Sequence, residues 1–194
     1  QTWCSTARDD PELIERVHEA SGKRVIILSL APELPGATDL IERCVQLRIC
    51  PAIVHTKAES EDLNHAVRSG ARLSSHLGNG SHPVLPRLDN YVQTQLADDR
   101  LQASFIADGH HMPFTTLKNF LRAKTPARSI LITDAIPATE VGPGTYEFGG
   151  QTIVVSEDGR AAPPNASHLA GSTLTLDRAV LNVARHCGLP WQEA

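Results

Sequence analysis

The sequence is short of several features that would assign it quickly to a class of protein. Aromatic residues make up only 4% of its 194 residues and the formal net charge is −4, so little favours binding to DNA or to an anionic membrane surface. No apolar run approaches the roughly 20 residues that cross a bilayer. The cysteines, Cys4, Cys44, Cys50 and Cys187, form no CxxC pair. We therefore expect reduced thiols and a cytoplasmic protein without nucleic-acid or membrane partners.

Methionine is nearly absent as well. The chain opens with Gln1, and its only methionine is Met112, so we expect the translation start to lie upstream. Hydrophobic residues make up 41% and charged residues 21% of the sequence, a balance typical of a folded protein. The length suits one well-cored domain, and we expect a single domain over residues 1–194.

The first elements predict a helix followed by a strand. Asp9 or Asp10 can cap a helix whose first position is Pro11 and which ends at Gly22. Residues 24–30 form a short β-branched and aliphatic run. Such a run between chain breakers is typical of a strand buried on both faces, as in a parallel sheet.

Strands and helices then alternate along the chain. Further strands are predicted at residues 49–54, 71–75, 103–107 and 129–133, with helices at 38–47, 60–69, 91–99 and 114–123. Five strands separated by helices predict consecutive βαβ units and an α/β fold with a parallel sheet. Later, Gly149 and Gly150 predict a hairpin between residues 145–148 and 151–155, and residues 175–187 predict a closing helix.

Four successive strands are each followed by a histidine or an aspartate: His55, His76, Asp108 and Asp134. Since the carboxyl ends of parallel strands lie at one edge of a sheet, these side chains are expected to converge there. A single histidine at a strand end is usually a hydrogen-bonded loop residue. Four such positions in succession instead predict a shared functional site.

The residue types at these strand ends suit a metal-dependent hydrolase. Imidazole nitrogens and carboxylate oxygens are ligands of Zn²⁺ and related ions, and a catalytic zinc site keeps one position open. His55 and His76 are the candidate ligands. A nearby carboxylate can take a proton from water and pass it to a leaving amine, which makes Asp134 the candidate acid and base for amide hydrolysis.

Several neighbouring residues have both a plain and a functional interpretation. Asn79 and Gly80 suit an ordinary turn, although glycine also lets backbone amides approach a ligand closely. Arg87 is either a solvated surface cation or a partner for an anionic substrate group. His110 and His111 place two imidazoles near the same predicted edge, and one of them is enough to contact a ligand.

Six short segments carry a family resemblance. They lie, in this order, at residues 30–33 (LAPE), 54–56 (VHT), 76–80 (HLGNG), 107–111 (ADGHH), 132–135 (ITDA) and 169–175 (LAGSTLT). Together they resemble the N-acetylglucosamine-6-phosphate deacetylases of the amidohydrolase superfamily. The resemblance extends from about residue 24 to the end of the chain. It implies a (β/α)8 TIM barrel that uses a divalent metal to hydrolyse the acetamido group of N-acetylglucosamine 6-phosphate, releasing acetate and glucosamine 6-phosphate.

The resemblance also implies roles for individual residues. By their motif positions, His55 and His76 resemble the family's metal ligands, with zinc as the expected ion and iron or manganese as alternatives. Asp134 resembles the general base and acid. His111 resembles the histidine that contacts the substrate and helps to polarise the amide carbonyl.

Further residues match positions that bind the sugar phosphate. Asn79 and Gly80 fall where family members contact the phosphate, the glycine through its backbone. Arg87 matches an arginine that binds the phosphate, often from a neighbouring subunit. Residues 169–172 match a loop beside the acetyl pocket.

The sequence departs from the family pattern in its metal ligands. The family's His-Leu-Glu-Gly-Pro segment, whose glutamate is a metal ligand, is absent from these residues, and Glu33 belongs to a different motif. The usual Gly-His-Ser is Val54-His55-Thr56 here, and the usual Asn-Ala-Met is Asn79-Gly80-Ser81.

The predicted fold is therefore part of a barrel: the C-terminal five βα units, without the first strands and the small flanking β-domain. Such a sheet leaves open edges, which favours a homo-oligomer such as a dimer. Three alternatives to an active deacetylase stay open: a catalytically incomplete fragment, a sugar-phosphate binding module, and an amidohydrolase acting on another N-acetylated sugar.

Overall fold

The computed structural model of the chain describes residues 11–194. They fall into two units that divide between Ala103 and Ser104. Cys4 and the predicted caps Asp9 and Asp10 lie outside the described residues. Among the residues that are described, no helix is both long enough and apolar enough to cross a membrane.

The first unit alternates helices with short strands. Its elements are α1 (Pro11–Ala20), β1 (Ile27–Leu30), α2 (Ala37–Gln46), β2 (Cys50–Ile53), α3 (Ser60–Ser69), β3 (Leu73–Ser74), α4 (Tyr91–Ala97) and the start of β4 (Gln102–Ile106). Helix α1 begins at Pro11, where the missing N–H of proline costs no helical hydrogen bond. A capping box of Glu59 and Asp62 begins α3, and the Asn90 side chain caps α4.

The strands pair in parallel, which confirms the predicted α/β class. Ile27 pairs with Cys50, Ile53 with Ser74, and Ser74 with Ala103. The strand order in this sheet is β1-β2-β3-β4-β5. The central strands are the most buried: β2 has one half-buried residue followed by three buried ones, as expected for parallel strands covered on both faces.

Strand β1 corrects one prediction. The sequence predicted a strand buried on both faces, yet Ile27 is 48% exposed and the preceding Ile26 is 72% exposed. The reason lies in the strand order, because β1 is an edge strand that pairs with β2 alone. Its aliphatic composition matches a central strand, whereas its position among the described residues leaves one side uncovered.

The second unit contains the rest of β4 and a separate small sheet. Its elements are α5 (Phe114–Lys124), a 3-10 turn (Pro126–Arg128), β5 (Ser129–Ile132), β6 (Gly144–Phe148), β7 (Gln151–Val155), β8 (Ala161–Ala162), α6 (Leu176–Asn182) and a π-helical turn (Val183–Cys187). The predicted hairpin is present as β6 and β7, paired antiparallel. Both turn glycines, Gly149 and Gly150, have positive φ, as a tight hairpin turn requires.

Two features of this unit differ from prediction. Strand β8 was not predicted, because two alanines give no strand pattern, and it forms by pairing with β7. The closing helix is α-helical only over Leu176–Asn182 and continues as a π-helical turn that ends at Gly188, whose φ is +75°. A widened turn of this kind keeps the apolar periodicity of a helix, so the sequence pattern does not distinguish the two.

Three cysteines within the described residues are free thiols, as expected for reduced cysteines. Burial raises the pKa of the Cys44 thiol to about 11, with a smaller contribution from neighbouring Cys50. Burial also raises the pKa values of Cys50 and Cys187. These thiols are therefore protonated and poorly nucleophilic at neutral pH.

The core of the second unit gives a prediction about stability. Phe105 on β4 is fully buried, and its ring centroid lies 6.2 Å from that of Phe120. We expect Phe105→Ala to lower the free energy of unfolding by about 3–5 kcal/mol, through lost burial and an unfilled cavity. Phe148→Ala is the matched control, because Phe148 is 45% exposed. Urea unfolding of both variants measures the difference, and similar losses for the two would contradict this packing.

Candidate active site

Two of the predicted metal ligands lie together at the ends of adjacent strands. Ile53 on β2 pairs with Ser74 on β3, and His55 and His76 each follow two residues later, so the two histidines continue the same register. Adjacent strands lie about 4.8 Å apart. The imidazole centroids are 4.8 Å apart, with the ring planes at 66° to each other. Parallel pairing thus brings the two imidazoles into edge contact.

The backbone turns sharply at both histidines. His55 has φ of +44° and His76 has φ of +33°, in the left-handed region that residues with a Cβ seldom adopt. Such a conformation costs of order 1–3 kcal/mol and is maintained only where surrounding contacts enforce it. The chain leaves each strand abruptly at the residue that carries the predicted function.

The turn after His76 encloses the His55 ring. The Asn79 N–H donates to the His76 carbonyl oxygen at 2.9 Å, and Gly80 has φ of +67°. A Cβ placed on Gly80 would fall on Nδ1 of His55, so only glycine fits beside the imidazole. The side-chain nitrogen Nδ2 of Asn79 is buried without a hydrogen-bond partner. This turn is therefore shaped around the ring and retains one unused donor.

A small pocket lies at this turn, lined by His55, Asn79, Gly80, Tyr91 and Gln95 among others. Its volume is about 20 Å³, which is room for about one water molecule. A single atom or ion fits the pocket, whereas a sugar phosphate needs far more space. A larger ligand therefore has to extend beyond it.

Glu33 holds the segment that follows His55. Its carboxylate accepts hydrogen bonds from the Thr56 hydroxyl at 2.5 Å and from the Lys57 N–H at 2.8 Å. The Thr56 oxygen in turn accepts from the Ala58 N–H at 2.9 Å. No role for Glu33 was predicted from the sequence. The register could have revealed one: Leu30 pairs with Ile53, and Glu33 and Thr56 each follow three residues later.

Arg87 lies in the loop between β3 and α4, and its side chain is exposed. The Asn90 side chain anchors this loop by donating from Nδ2 to the Pro86 carbonyl oxygen at 2.9 Å. Val84 and Leu88, on either side of Arg87, are 85% and 80% exposed. The loop thus presents a cation between two apolar side chains.

In the second unit, Asp108 accepts three hydrogen bonds from the two histidines that follow it. The backbone N–H groups of His110 and His111 donate to Oδ1, each at 2.9 Å. Nδ1 of His111 lies 2.6 Å from Oδ2, and both side chains are at least nine-tenths buried. An ionised carboxylate only accepts, so Nδ1 carries the proton and Nε2 is the ring nitrogen left for a second partner.

The same contacts set the ionisation of Asp108. Burial on its own would raise the pKa of this carboxyl, but the hydrogen bonds and charge of His111 and the His110 N–H outweigh it. The pKa of Asp108 therefore lies below its ordinary value. Asp108 was predicted from the sequence to lie at a strand end, but no individual role was predicted for it.

Asp134 also turns the chain sharply, with φ of +50°, and its side chain is exposed. The Ser172 N–H donates to the Asp134 carbonyl oxygen at 2.8 Å, and the Ser172 hydroxyl donates to that of Thr133. A Cβ on Gly171 would come within 2.9 Å of the Asp134 carbonyl oxygen. The segment 169–175, which the sequence singled out, is thus pinned to Asp134 by its backbone.

The structure therefore forms two groups of the predicted residues. In the first unit it brings together His55, His76, Asn79 and Gly80. In the second, His111 is held by Asp108. Within residues 11–194, no three His, Cys, Asp or Glu side chains form a group that could hold a metal ion. That Asp134 and His111 share a site with the histidine pair stays a prediction.

Gly80→Ala tests the contact with His55. Gly149→Ala is the matched control, because Gly149 has a similar φ of +59° but open space around its Cβ position. Both variants should lose about 1–2 kcal/mol through the left-handed backbone. Only Gly80→Ala should also displace the imidazole, which NMR detects as shifted His55 ring signals. Unshifted ring signals in Gly80→Ala would contradict the contact.

Asp108→Asn tests the hydrogen bonds to His110 and His111. At pH 7 we expect the free energy of unfolding to fall by about 1–3 kcal/mol, because buried donors lose their ionised acceptor. Because the pKa of Asp108 is lower in the folded protein than in the unfolded chain, its ionised form stabilises the fold at pH values above the ordinary carboxyl pKa. This contribution is lost as the pH falls through the pKa that Asp108 has in the folded protein. The difference between wild type and variant should therefore shrink below about pH 4.

Urea unfolding between pH 2 and pH 7 measures this difference, with Asp89→Asn as the control because Asp89 is exposed in a loop. A gap between wild type and Asp108→Asn that stays constant over this range would contradict the assigned ionisation.

Comparison with known proteins identifies relatives of the chain. No protein-family model matches it. It is 33% identical to N-acetylglucosamine-6-phosphate deacetylase from Bacillus subtilis (strain 168), over 95% of this chain and 46% of the relative. It is 35% identical to the protein of the same name from Lysinibacillus sphaericus, over 90% of this chain and 44% of the relative.

A solved structure gives the same result. It holds a variant of N-acetyl-D-glucosamine-6-phosphate deacetylase from Mycobacterium smegmatis in complex with N-acetyl-D-glucosamine-6-phosphate. The TM-score is 0.87 at 31% identity, over 95% of this chain and 48% of that one. The chain thus spans about half the length of the relatives that it matches. Similarity over nearly all of its own length shows that the chain belongs to the N-acetylglucosamine-6-phosphate deacetylase family.

Proposed function

We propose that this chain forms part of a deacetylase that hydrolyses the acetamido group of N-acetylglucosamine 6-phosphate to acetate and glucosamine 6-phosphate. The observation that carries the proposal is the in-register contact of His55 and His76 at the ends of adjacent strands. Relatives named as deacetylases of this sugar phosphate support it. So does the related solved structure, whose ligand is the acetylated sugar phosphate.

The two imidazoles fit part of a metal site. His55 and His76 lie close enough to share an ion, and the 20 Å³ pocket beside His55 suits an atom of that size. They would supply two of the ligands that a catalytic zinc ion takes, with iron or manganese as alternatives. A bound divalent cation supplies Lewis-acid stabilisation of the charge that develops on the amide. Within residues 11–194, no third His, Cys, Asp or Glu side chain joins these two histidines to form a group that could hold a metal ion.

Asp134 is the proposed general base and acid. Its carboxylate is exposed and acceptor-only when ionised, so it can take a proton from the attacking water and return it to the leaving nitrogen. The hydrogen bonds from Ser172 hold the backbone at and before Asp134. A fixed backbone limits the positions that the carboxylate samples, which favours proton transfer at one site.

His111 is the proposed partner of the amide carbonyl. Nδ1 of His111 donates its hydrogen bond to Asp108. The neutral ring therefore has its lone pair on Nε2, and a protonated ring donates a hydrogen bond from that atom. Donation to the carbonyl oxygen would stabilise the negative charge that forms there.

The phosphate is assigned to Asn79, Gly80 and Arg87. The buried Nδ2 of Asn79 is an unused donor, and Gly80 leaves its backbone accessible to a ligand. Arg87 is an exposed cation on an anchored loop, suited to binding phosphate oxygens in pairs. Together they favour a phosphorylated sugar over an unphosphorylated one.

We assign the chain to one partial TIM barrel, the C-terminal five βα units, in a homo-oligomer such as a dimer. The parallel sheet and its exposed edge strand β1 support the partial barrel. The exposed Val84 and Leu88 beside Arg87 support an oligomer. A cytoplasmic location is supported by the free thiols.

Asp134→Asn tests the proposed chemistry. We expect acetate release from N-acetylglucosamine 6-phosphate to fall by at least about 100-fold, because the general base and acid is lost. The fold should be unaffected, since the Asp134 side chain is exposed. Asp39→Asn is the control, being an exposed aspartate in the first turn of α2. Unchanged turnover in Asp134→Asn, with circular dichroism matching wild type, would overturn the assignment.

The same assay separates the alternatives. Unphosphorylated N-acetylglucosamine should react more slowly than the phosphate ester if Arg87 binds phosphate, and equal rates indicate another N-acetylated substrate. Calorimetric binding of the sugar phosphate without acetate release, at any added zinc concentration, indicates a binding module or an incomplete fragment instead.

A further inference from the structure

We infer that Glu33 is a positioning residue for the active-site imidazole of His55. This inference rests on the proposed function and extends it by a residue outside the predicted site. The carboxylate does not contact a ligand in this role. It acts through Thr56 and Lys57, the two residues that follow His55 in the chain.

The hydrogen bonds of Glu33 span two strand ends. Its two carboxylate oxygens are used separately, Oε2 by the Thr56 hydroxyl and Oε1 by the Lys57 N–H. The pairing of β1 with β2 ends at Leu30 and Ile53, and Glu33 and Thr56 lie in the segments that follow these two residues. Glu33 therefore connects the segment after His55 to the neighbouring strand end and limits its movement.

The Thr56 side chain extends this connection. It is only 5% exposed, and its hydroxyl both donates to Glu33 and accepts from the Ala58 N–H. A hydroxyl used in both directions fixes its own rotamer, and thereby the backbone on either side. The residue immediately before it is His55, with its φ of +44°.

His55 needs such a constraint because its left-handed backbone is unfavourable without it. Gly80 limits the His55 ring on one side, and the His76 ring is in contact with it as well. These contacts confine the ring, whereas Glu33 confines the backbone from which the ring projects. A relaxed backbone at His55 would move the imidazole away from His76.

Glu33→Gln is the central test, because glutamine keeps the size but replaces one acceptor oxygen with a donor. Glu42→Gln is the matched control, since Glu42 is exposed and accepts a single long bond of 3.4 Å from Ser69. Thr56→Ser keeps the hydroxyl and should behave as wild type, whereas Thr56→Val should resemble Glu33→Gln. The serine variant also keeps the test informative if Glu33→Gln folds poorly.

Three measurements on the full chain read the result. NMR should show shifted His55 ring signals in Glu33→Gln but not in Glu42→Gln. Calorimetric titration with zinc chloride should show affinity lowered by about 10- to 100-fold, the usual effect of losing a residue that orients a ligand. In the acetate-release assay, kcat should fall while KM for the sugar phosphate stays nearly unchanged.

The inference is overturned if Glu33→Gln retains the wild-type His55 ring signals and zinc affinity, or if Thr56→Ser loses both. The ring signals do not depend on turnover. A wild-type chain that neither binds zinc nor releases acetate would refute the proposed function alone, and the ring signals would then decide the role of Glu33.

Discussion

Parallel pairing of adjacent strands is the constraint on which the candidate site depends. In a parallel sheet, neighbouring strands end at the same side, and residues at equal distances past a paired position stay neighbours. The pairing of Ile53 with Ser74 thus determines that His55 meets His76. The pairing of Leu30 with Ile53 places the segments after both strands next to each other, where Glu33 accepts a hydrogen bond from Thr56. A slip of one residue in either pair would separate these contacts and turn the side chains to the other face.

Abrupt turns at the strand ends complete this arrangement. His55, His76 and Asp134 all have positive φ without being glycine, and all three were selected from the sequence for their chemistry. Residues held in a costly backbone conformation concentrate at functional sites, because the surrounding contacts maintain a geometry that stability alone would not select. The hydrogen bonds from Asn79 to His76 and from Ser172 to Asp134 are such contacts. Three of the eight non-glycine residues with positive φ in the described part of the chain are therefore residues of the proposed chemistry.

Much of the fold and part of the site could be predicted from sequence, for identifiable reasons. The periodicity of apolar residues and the positions of turn-forming residues predict helices and strands well. The hairpin predicted from Gly149 and Gly150 is present at those residues. The exposure of β1 could not be predicted, because a strand's composition does not reveal whether a neighbour covers it. Asp108 and Glu33 carry local signals, but their roles depend on hydrogen-bond partners, and Glu33 reaches its partners only through strand pairing.

The two units use the same physical device to hold a histidine. In each, a carboxylate that follows a strand accepts hydrogen bonds from at least one backbone N–H and from one side chain of the segment that it holds. Glu33 does so with Lys57 and Thr56, and Asp108 with His110 and His111. A carboxylate suits this role because it offers two acceptor oxygens and strengthens each hydrogen bond by its charge. The difference is that Asp108 contacts the imidazole directly and selects its tautomer, whereas Glu33 acts on the backbone next to His55. Loss of Asp108 therefore removes the contact that selects the tautomer of the His111 ring, whereas loss of Glu33 changes the position of the His55 ring.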